Sequence, residues 1–296
     1  MTTFRMKWIH LHSCFGANRK LFQKIIDDDP ELHFIYQYRP VDLEKVFTLP
    51  PTKAMMLHQT LHRISPAQLE QLFQEQGICP ITLHDSTYPC LLQHIYDPPF
   101  VLYTQGLQHI LANKRTVAVV GTRKPTEAGM KSAAYFVHAL VENDWTIVSG
   151  LASGIDAHAH QQAIRTNGRT IAVLASGFHF PYPQESKSLF QYMAKWQLLV
   201  SEYPPWVRPR KWHFPVRNRI VSGLSQAVVV IEAKKKSGSL ITADQALEQG
   251  RDVFAVPGSI FSAESEGTNR LIQQGAKLIL TKEDLLQELP NVTGKS

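Results

Sequence analysis

The feature that most constrains what this chain can fold into is a strand, a glycine turn and a helix that recur from Thr116 onward. Residues 116–120 are an unbroken run ending in Val-Ala-Val-Val, and Gly121-Thr-Arg-Lys-Pro-Thr-Glu-Ala-Gly129 follows as a turn. Helical spacing covers residues 131–143, a second apolar run covers 145–149, and Gly150-Leu-Ala-Ser-Gly-Ile-Asp156 makes the next turn. Residues 157–165 read as helix and 170–175 as a third strand ending in Ser176-Gly177. Strands apolar on both faces need helices on both sides, so this alternation predicts an α/β fold with a doubly wound, mostly parallel sheet. Further strands are expected at 196–201, 227–232, 252–256 and 278–280, with helices opened by Lys236-Ser-Gly-Ser239 and Ser265-Glu-Gly-Thr-Asn269.

Upstream the pattern differs. Residues 18–26 and 66–75 have helical spacing, and Ser65 before Pro66 has the form of an N-cap followed by proline at the first helical position. Leu49-Pro-Pro51 is a break. Residues 1–79 are expected to be a small helical domain, an interaction or packing module with no catalytic constellation. Short extended pieces broken at prolines, with 101–103 a strand, lead into a second domain placed at 80–282. Residues 283–296 are expected as a C-terminal tail.

The most charged stretch lies between two of the strands, at 202–219. It holds Arg208, Arg210, Lys211, Arg217 and Arg219 against Glu202 alone, interleaved with Tyr203, Trp206, Trp212, His213 and Phe214. Cations track a phosphate backbone while aromatic faces take stacked bases, which is the composition of a single-stranded nucleic-acid site. The alternative is a solvated basic loop whose aromatics cap the core. Four prolines, each without an amide donor, exclude one long helix and predict an exposed loop at the sheet end where α/β folds place ligands. The chain has a formal charge of +6, yet residues 1–80 carry nine basic against eight acidic groups. The excess sits in the second domain and favours an anionic partner.

Other classes are disfavoured. Cys14, Cys79 and Cys90 fall in no metal-ligand spacing and form no disulfide framework, which fits a reducing cytoplasm. Nowhere do 18 apolar residues run together, so no membrane span is expected. Gly121 and Gly129 are eight apart and Gly129-Met-Lys-Ser132 has an extra residue, so neither a dinucleotide fingerprint nor a P-loop is present. Asp156-Ala-His158-Ala-His160 suggests a metal, but helical residues two apart point about 200° around the axis. Asp156 is expected as an N-cap with the histidines packing on either side, and no metal or cofactor is expected. No Gly-x-Ser-x-Gly elbow occurs. Gly121-Thr122-Arg123 places a guanidinium just past a strand end, where exposed amides suit anions, although such turns also serve chain reversal alone. Lys234-Lys-Lys236 is either a phosphate contact or a solvated strand end.

Several of these motifs together carry a resemblance. Val119-Val-Gly-Thr-Arg123, Ser149-Gly-Leu-Ala-Ser-Gly-Ile-Asp-Ala157, Trp212-His-Phe-Pro-Val-Arg-Asn-Arg-Ile220, Lys236-Ser-Gly-Ser-Leu-Ile-Thr242, Gly250-Arg-Asp-Val-Phe-Ala-Val-Pro-Gly258 and Gly267-Thr-Asn-Arg-Leu-Ile272 resemble the DprA (Smf) family, DNA-processing proteins of natural transformation. The resemblance covers about residues 80–282; residues 1–79 resemble the family's small helical, SAM-like domain more loosely. It implies an extended Rossmann-like fold that uses no nucleotide cofactor. It further implies a non-enzymatic homodimer that binds single-stranded DNA, shields it from nucleases and loads the recombinase RecA onto it. Carried onto this chain, the family's DNA contacts fall on Arg123, Lys211, Arg217, Asn218 and Arg219; to these the residues themselves add Phe214 and Trp212 for base stacking and Gly121, Thr122, Gly238 and Ser239 as pocket lining. Lys187, in a segment with Ser186 where the family has Asn, and Lys236 are further candidates. Many members carry a C-terminal winged-helix domain, which is not expected here. The rival reading is a nucleotide-processing enzyme similar to the LOG phosphoribohydrolases; at the comparable turn this chain has Gln245, whose amide cannot act as a carboxylate base.

Overall fold

The protein is described from a computed structural model covering residues 3–15 and 18–290. Five helices come first: α1 (Phe4–Phe15), α2 (Arg19–Asp28), α3 (Pro40–Phe47), α4 (Pro51–Arg63) and α5 (Pro66–Glu75). The α5 start is a capping box, with Ser65 Oγ accepting from Gln68 N and the Gln68 side chain accepting from Ser65 N. Then come β1 (Ile78–Thr82), α6 (Cys90–Gln93), β2 (Val101–Gly106), β3 (Thr116–Val120), α7 (Glu127–Glu142), β4 (Thr146–Ser149), α8 (Ile155–Arg165) and β5 (Thr170–Leu174). The chain continues through α9 (Lys187–Trp196), β6 (Leu198–Ser201), α10 (His213–Gly223), β7 (Ala227–Val230), α11 (Gly238–Glu248), β8 (Asp252–Ala255), α12 (Glu266–Gln273), β9 (Lys277–Leu278) and α13 (Lys282–Glu288).

The strands form one sheet in the order β1-β2-β6-β5-β4-β3-β7-β8-β9. Strands from β6 to β9 run parallel, while β1 and β2 add an antiparallel edge beside β6. Side chains alternate along β3: Val117 and Val119 pack with Phe136, Leu140 and Ile155 of α7 and α8, whereas Ala118 and Val120 pack with Ile220, Val221 and Ala243 of α10 and α11. This two-sided burial is why the strands read as unbroken apolar runs. The N-terminal helices share an apolar core, including Phe22, Leu43 and Leu69, that continues into Tyr103, Ala172 and Leu199 of the sheet.

From β3 the chain winds outward through β4, β5 and β6, then returns to lay β7 on the other side of β3. The carboxyl ends of β3 and β7 therefore flank a topological switch point, where open α/β sheets form a ligand crevice.

The expected exposed loop holds only in part. Residues 204–212 are irregular, but α10 begins at His213. Pro215 is tolerated as its third residue because the first amides of a helix have no intrahelical acceptor. The strand expected from 196 starts at Leu198, since Trp196 ends α9, and the one expected at 278–280 is β9 (Lys277–Leu278). The expected tail opens with α13; its residues 291–296 lie outside the described residues. Among the described residues no helix is long and apolar enough to cross a membrane, and no cluster of metal-ligating side chains occurs.

Candidate nucleic-acid interface

Three turns build the crevice. The first, after β3, is held against the end of β7 by Glu232. Thr122 N donates to the Glu232 carbonyl at 2.7 Å, while the Glu232 carboxylate accepts from Thr126 N at 3.0 Å and Thr126 Oγ1 at 2.5 Å. That places a carboxylate at the start of α7, where the helix dipole favours it. Gly129 lies against the same carboxylate, and a Cβ on Gly121 would stand 2.7 Å from the Ile155 side chain. Both glycines are thus required by close approach. Glu232 was invisible to motif reading because its partners lie 106 residues earlier.

The second turn, after β4, is organised by Arg217. Its Nη1 donates to the carbonyls of Gly150 and Val173, which caps the carboxyl ends of β4 and β5. Burial pulls Arg217 down to about 10, with Asp156 opposing and Arg123 reinforcing, so the guanidinium stays charged at neutral pH. The expected N-cap role of Asp156 is corrected: Gly154, at φ 83°, caps α8, because Thr122 and Arg123 backbone presses too closely there for a side chain. Asp156 instead sits in the first turn of α8 and accepts from Gly150 N at 3.2 Å; burial pushes its carboxyl up, offset in part by Arg217. As expected, the histidines diverge, His158 toward Met130 O at 3.1 Å and His160 toward Thr170 Oγ1 at 2.6 Å.

The third turn opens α11. Ser237 Oγ accepts from Ser239 N at 3.3 Å, and Asn218 Nδ2 donates to Gly238 O at 3.1 Å, which ties the turn to α10. A Cβ on Gly238 would meet nothing within 4 Å, so this helix start faces open space.

Between these turns runs a groove of about 610 Å³. It brings together Gly121, Thr122, Arg123, Lys211, Phe214, Arg217, Asn218, Lys236, Gly238 and Ser239, with Lys234 from the same lysine run, and adds Tyr182, which motif reading left out of the site. Lys234 is paired with Glu264 at 2.9 Å, but among the described residues Arg123, Lys211 and Lys236 have no carboxylate within 4 Å. The Arg123 guanidinium lies 5.7 Å over the Phe214 ring, and Tyr182 meets the same ring edge-on at 5.3 Å. Asp156 is the one acidic side chain in the lining.

Trp212, Arg219 and Lys187 do not line this groove. Trp212 is 61% exposed beside it, and Lys187 opens α9 as an exposed residue. Arg219 is corrected from phosphate ligand to internal ion: its Nη2 lies 2.7 Å from Glu202 Oε1 and its Nε 2.8 Å from Asp97 Oδ2. Arg217 does line the groove, although it is buried, with Nη1 held by two carbonyls and Nε donating to Asn218 Oδ1 at 3.1 Å. Helix α10 turns both arginines inward, and of the two only Arg217 reaches the groove. Gln245 Nε2 donates to Pro215 O at 3.3 Å and serves the contact between α10 and α11.

Residues 80–290 match the sequence model of the DNA recombination-mediator protein A family. The chain belongs to this family. It is 51% identical to the DNA processing protein DprA of Bacillus subtilis over 218 residues, which cover 74% of this chain and 73% of that one. It is 45% identical to the DprA of Streptococcus pneumoniae over 226 residues, covering 76% and 79% respectively. Among solved structures, DprA from Streptococcus pneumoniae superposes with a TM-score of 0.81 at 37% identity, covering 98% of this chain and 99% of that one. The DNA processing protein A of Helicobacter pylori, described for its single-stranded DNA binding mode, superposes with a TM-score of 0.65 at 32% identity over 71% of this chain and 95% of that one.

Proposed function

We propose that the groove holds single-stranded DNA. Arg123, Lys211 and Lys236 neutralise phosphates, Phe214 stacks on a base with Trp212 beside it, and the backbone at Gly121, Gly238 and Ser239 approaches the strand. The observation that carries this reading is the convergence of three cations without carboxylate partners and one partly exposed aromatic ring on a switch-point groove. The single-stranded DNA binding of the Helicobacter pylori relative supports it. On the same reading the protein acts in natural transformation as a cytoplasmic homodimer without catalysis. It shields incoming strands and loads RecA, with residues 1–79 as a small helical domain packed on the sheet.

The test is binding of a labelled oligothymidylate, single- against double-stranded, across a salt series. Wild type prefers the single strand and weakens steeply with salt, because phosphate neutralisation releases counterions. Arg123→Ala/Lys211→Ala loses the preference, and the slope against log salt falls by about 0.7 per lost contact. Affinity that stays flat from low to physiological salt would refute the reading.

A further inference from the structure

We propose that residues 204–212 form a track that carries the same single strand out of the groove toward the N-terminal helices; this rests on the reading just given. Of the five cations between 202 and 219, the groove takes Lys211 and the buried Arg217, while Arg219 is spent inside the fold. Arg208 and Arg210 remain. Both are exposed, and among the described residues neither has a carboxylate within 4 Å. Each is set over an aromatic ring, Arg208 at 4.5 Å from Phe180 and Arg210 at 5.2 Å from Trp212. This alternation of guanidinium and aromatic face suits a phosphate backbone with stacked bases.

The segment is a fixed surface. Gly177 N donates to Val207 O at 2.8 Å and His179 N to Pro205 O at 3.0 Å, and Pro204, Pro205 and Pro209 restrict the backbone further. It also leads somewhere. One end, Lys211, lines the groove; the other, Trp206, lines a second cavity of about 550 Å³ together with Arg63, and stacks on Phe73 of α5 with planes 5° apart. From Trp206 to Lys211 the chain spans at most about 17 Å, so one strand can occupy groove and track together. The N-terminal helices thereby supply the far bank of the site.

The experiment compares oligothymidylates of about 6 and about 20 nucleotides, lengths bracketing typical single-strand sites, on the full chain and on Arg208→Ala/Arg210→Ala. Wild type binds the longer strand more tightly and with a steeper salt slope. The variant binds the short strand as wild type does, loses the gain from length, and has a slope on the long strand lower by about 1.4. Trp212→Ala reduces long-strand affinity without changing the slope. Equal losses at both lengths would put the arginines in the groove itself, and unchanged binding at both lengths would leave the segment to some other partner; either overturns the track. If wild type binds neither oligonucleotide, the underlying reading fails instead.

Discussion

Arg219 Nη2 and Glu202 Oε1 lie 2.7 Å apart with both side chains 7% exposed, and Asp97 Oδ2 completes the site at 2.8 Å from Arg219 Nε. Burial draws Arg219 down, and pairing with Glu202 and Asp97 more than offsets it, so the group stays charged at any working pH. Removing one partner of such a pair leaves an uncompensated buried charge, which costs about 3–5 kcal/mol. Arg219→Ala is expected to lower the urea unfolding free energy by that amount while leaving the salt slope of oligothymidylate binding unchanged in the folded protein. A reduced slope with normal stability would return Arg219 to the phosphate contacts.

Two glycines of the site are expected to respond in opposite ways. A Cβ on Gly150 would stand 2.5 Å from Arg217 Nη1, so Gly150→Ala forces the brace away from its carbonyls and destabilises by about 1–3 kcal/mol. Gly238 opens α11 into free space, and Gly238→Ala should leave folding unharmed or improve it by about 0.4–1 kcal/mol through the unfolded chain. Its cost falls on binding, because the methyl group keeps a phosphate from the helix amides. Thermal unfolding and anisotropy on the same two variants separate the effects.

The doubly wound sheet was legible because its parallel strands are buried on both faces and leave unbroken apolar runs, as at Val117 to Val120. The placing of Arg123 and Lys211 at the groove was legible because each stands close to an element boundary in a short motif. Arg219 was not, since its partner Asp97 is 122 residues away and nothing local separates an arginine facing solvent from one facing a distant carboxylate. Glu232 was missed for the same reason. Among the N-terminal helices, α1 is buried at every residue from Trp8 to Ser13, histidines included, so no single apolar stripe announces it.

Acid should weaken the fold through His12 and His160. Burial pulls both down to about 3, with Arg217 adding to the effect at His160. The unfolded chain takes these protons near 6.5, so above that pH neither state is charged and no cost arises. As pH falls from 6.5 toward 3 the unfolded state binds more protons, and stability drops by up to about 1.4 kcal/mol per pH unit for each histidine. Unfolding free energies measured from pH 7 to pH 5 are expected to fall less steeply in His160→Asn than in wild type. Parallel profiles would show that His160 accepts its proton in the folded state.

Phe214 and Arg123 should separate by their dependence on salt. The Phe214 ring is in contact with Tyr182 and lies beneath the Arg123 guanidinium, so it presents an aromatic face and no charge. Phe214→Ala is expected to cost about 1–3 kcal/mol of oligothymidylate affinity, the usual worth of one stacked base. The loss varies less with salt than that of Arg123→Ala, because the ring itself carries no charge. Arg123→Ala removes one such contact, lowers the slope by about 0.7, and so loses most at low salt. Because the guanidinium rests on the ring, deleting the ring also releases the arginine. The double variant is therefore expected to bind more tightly than the two single losses sum to, with a coupling of about 0.5 kcal/mol or more. Strict additivity would mean that the two side chains meet the strand independently.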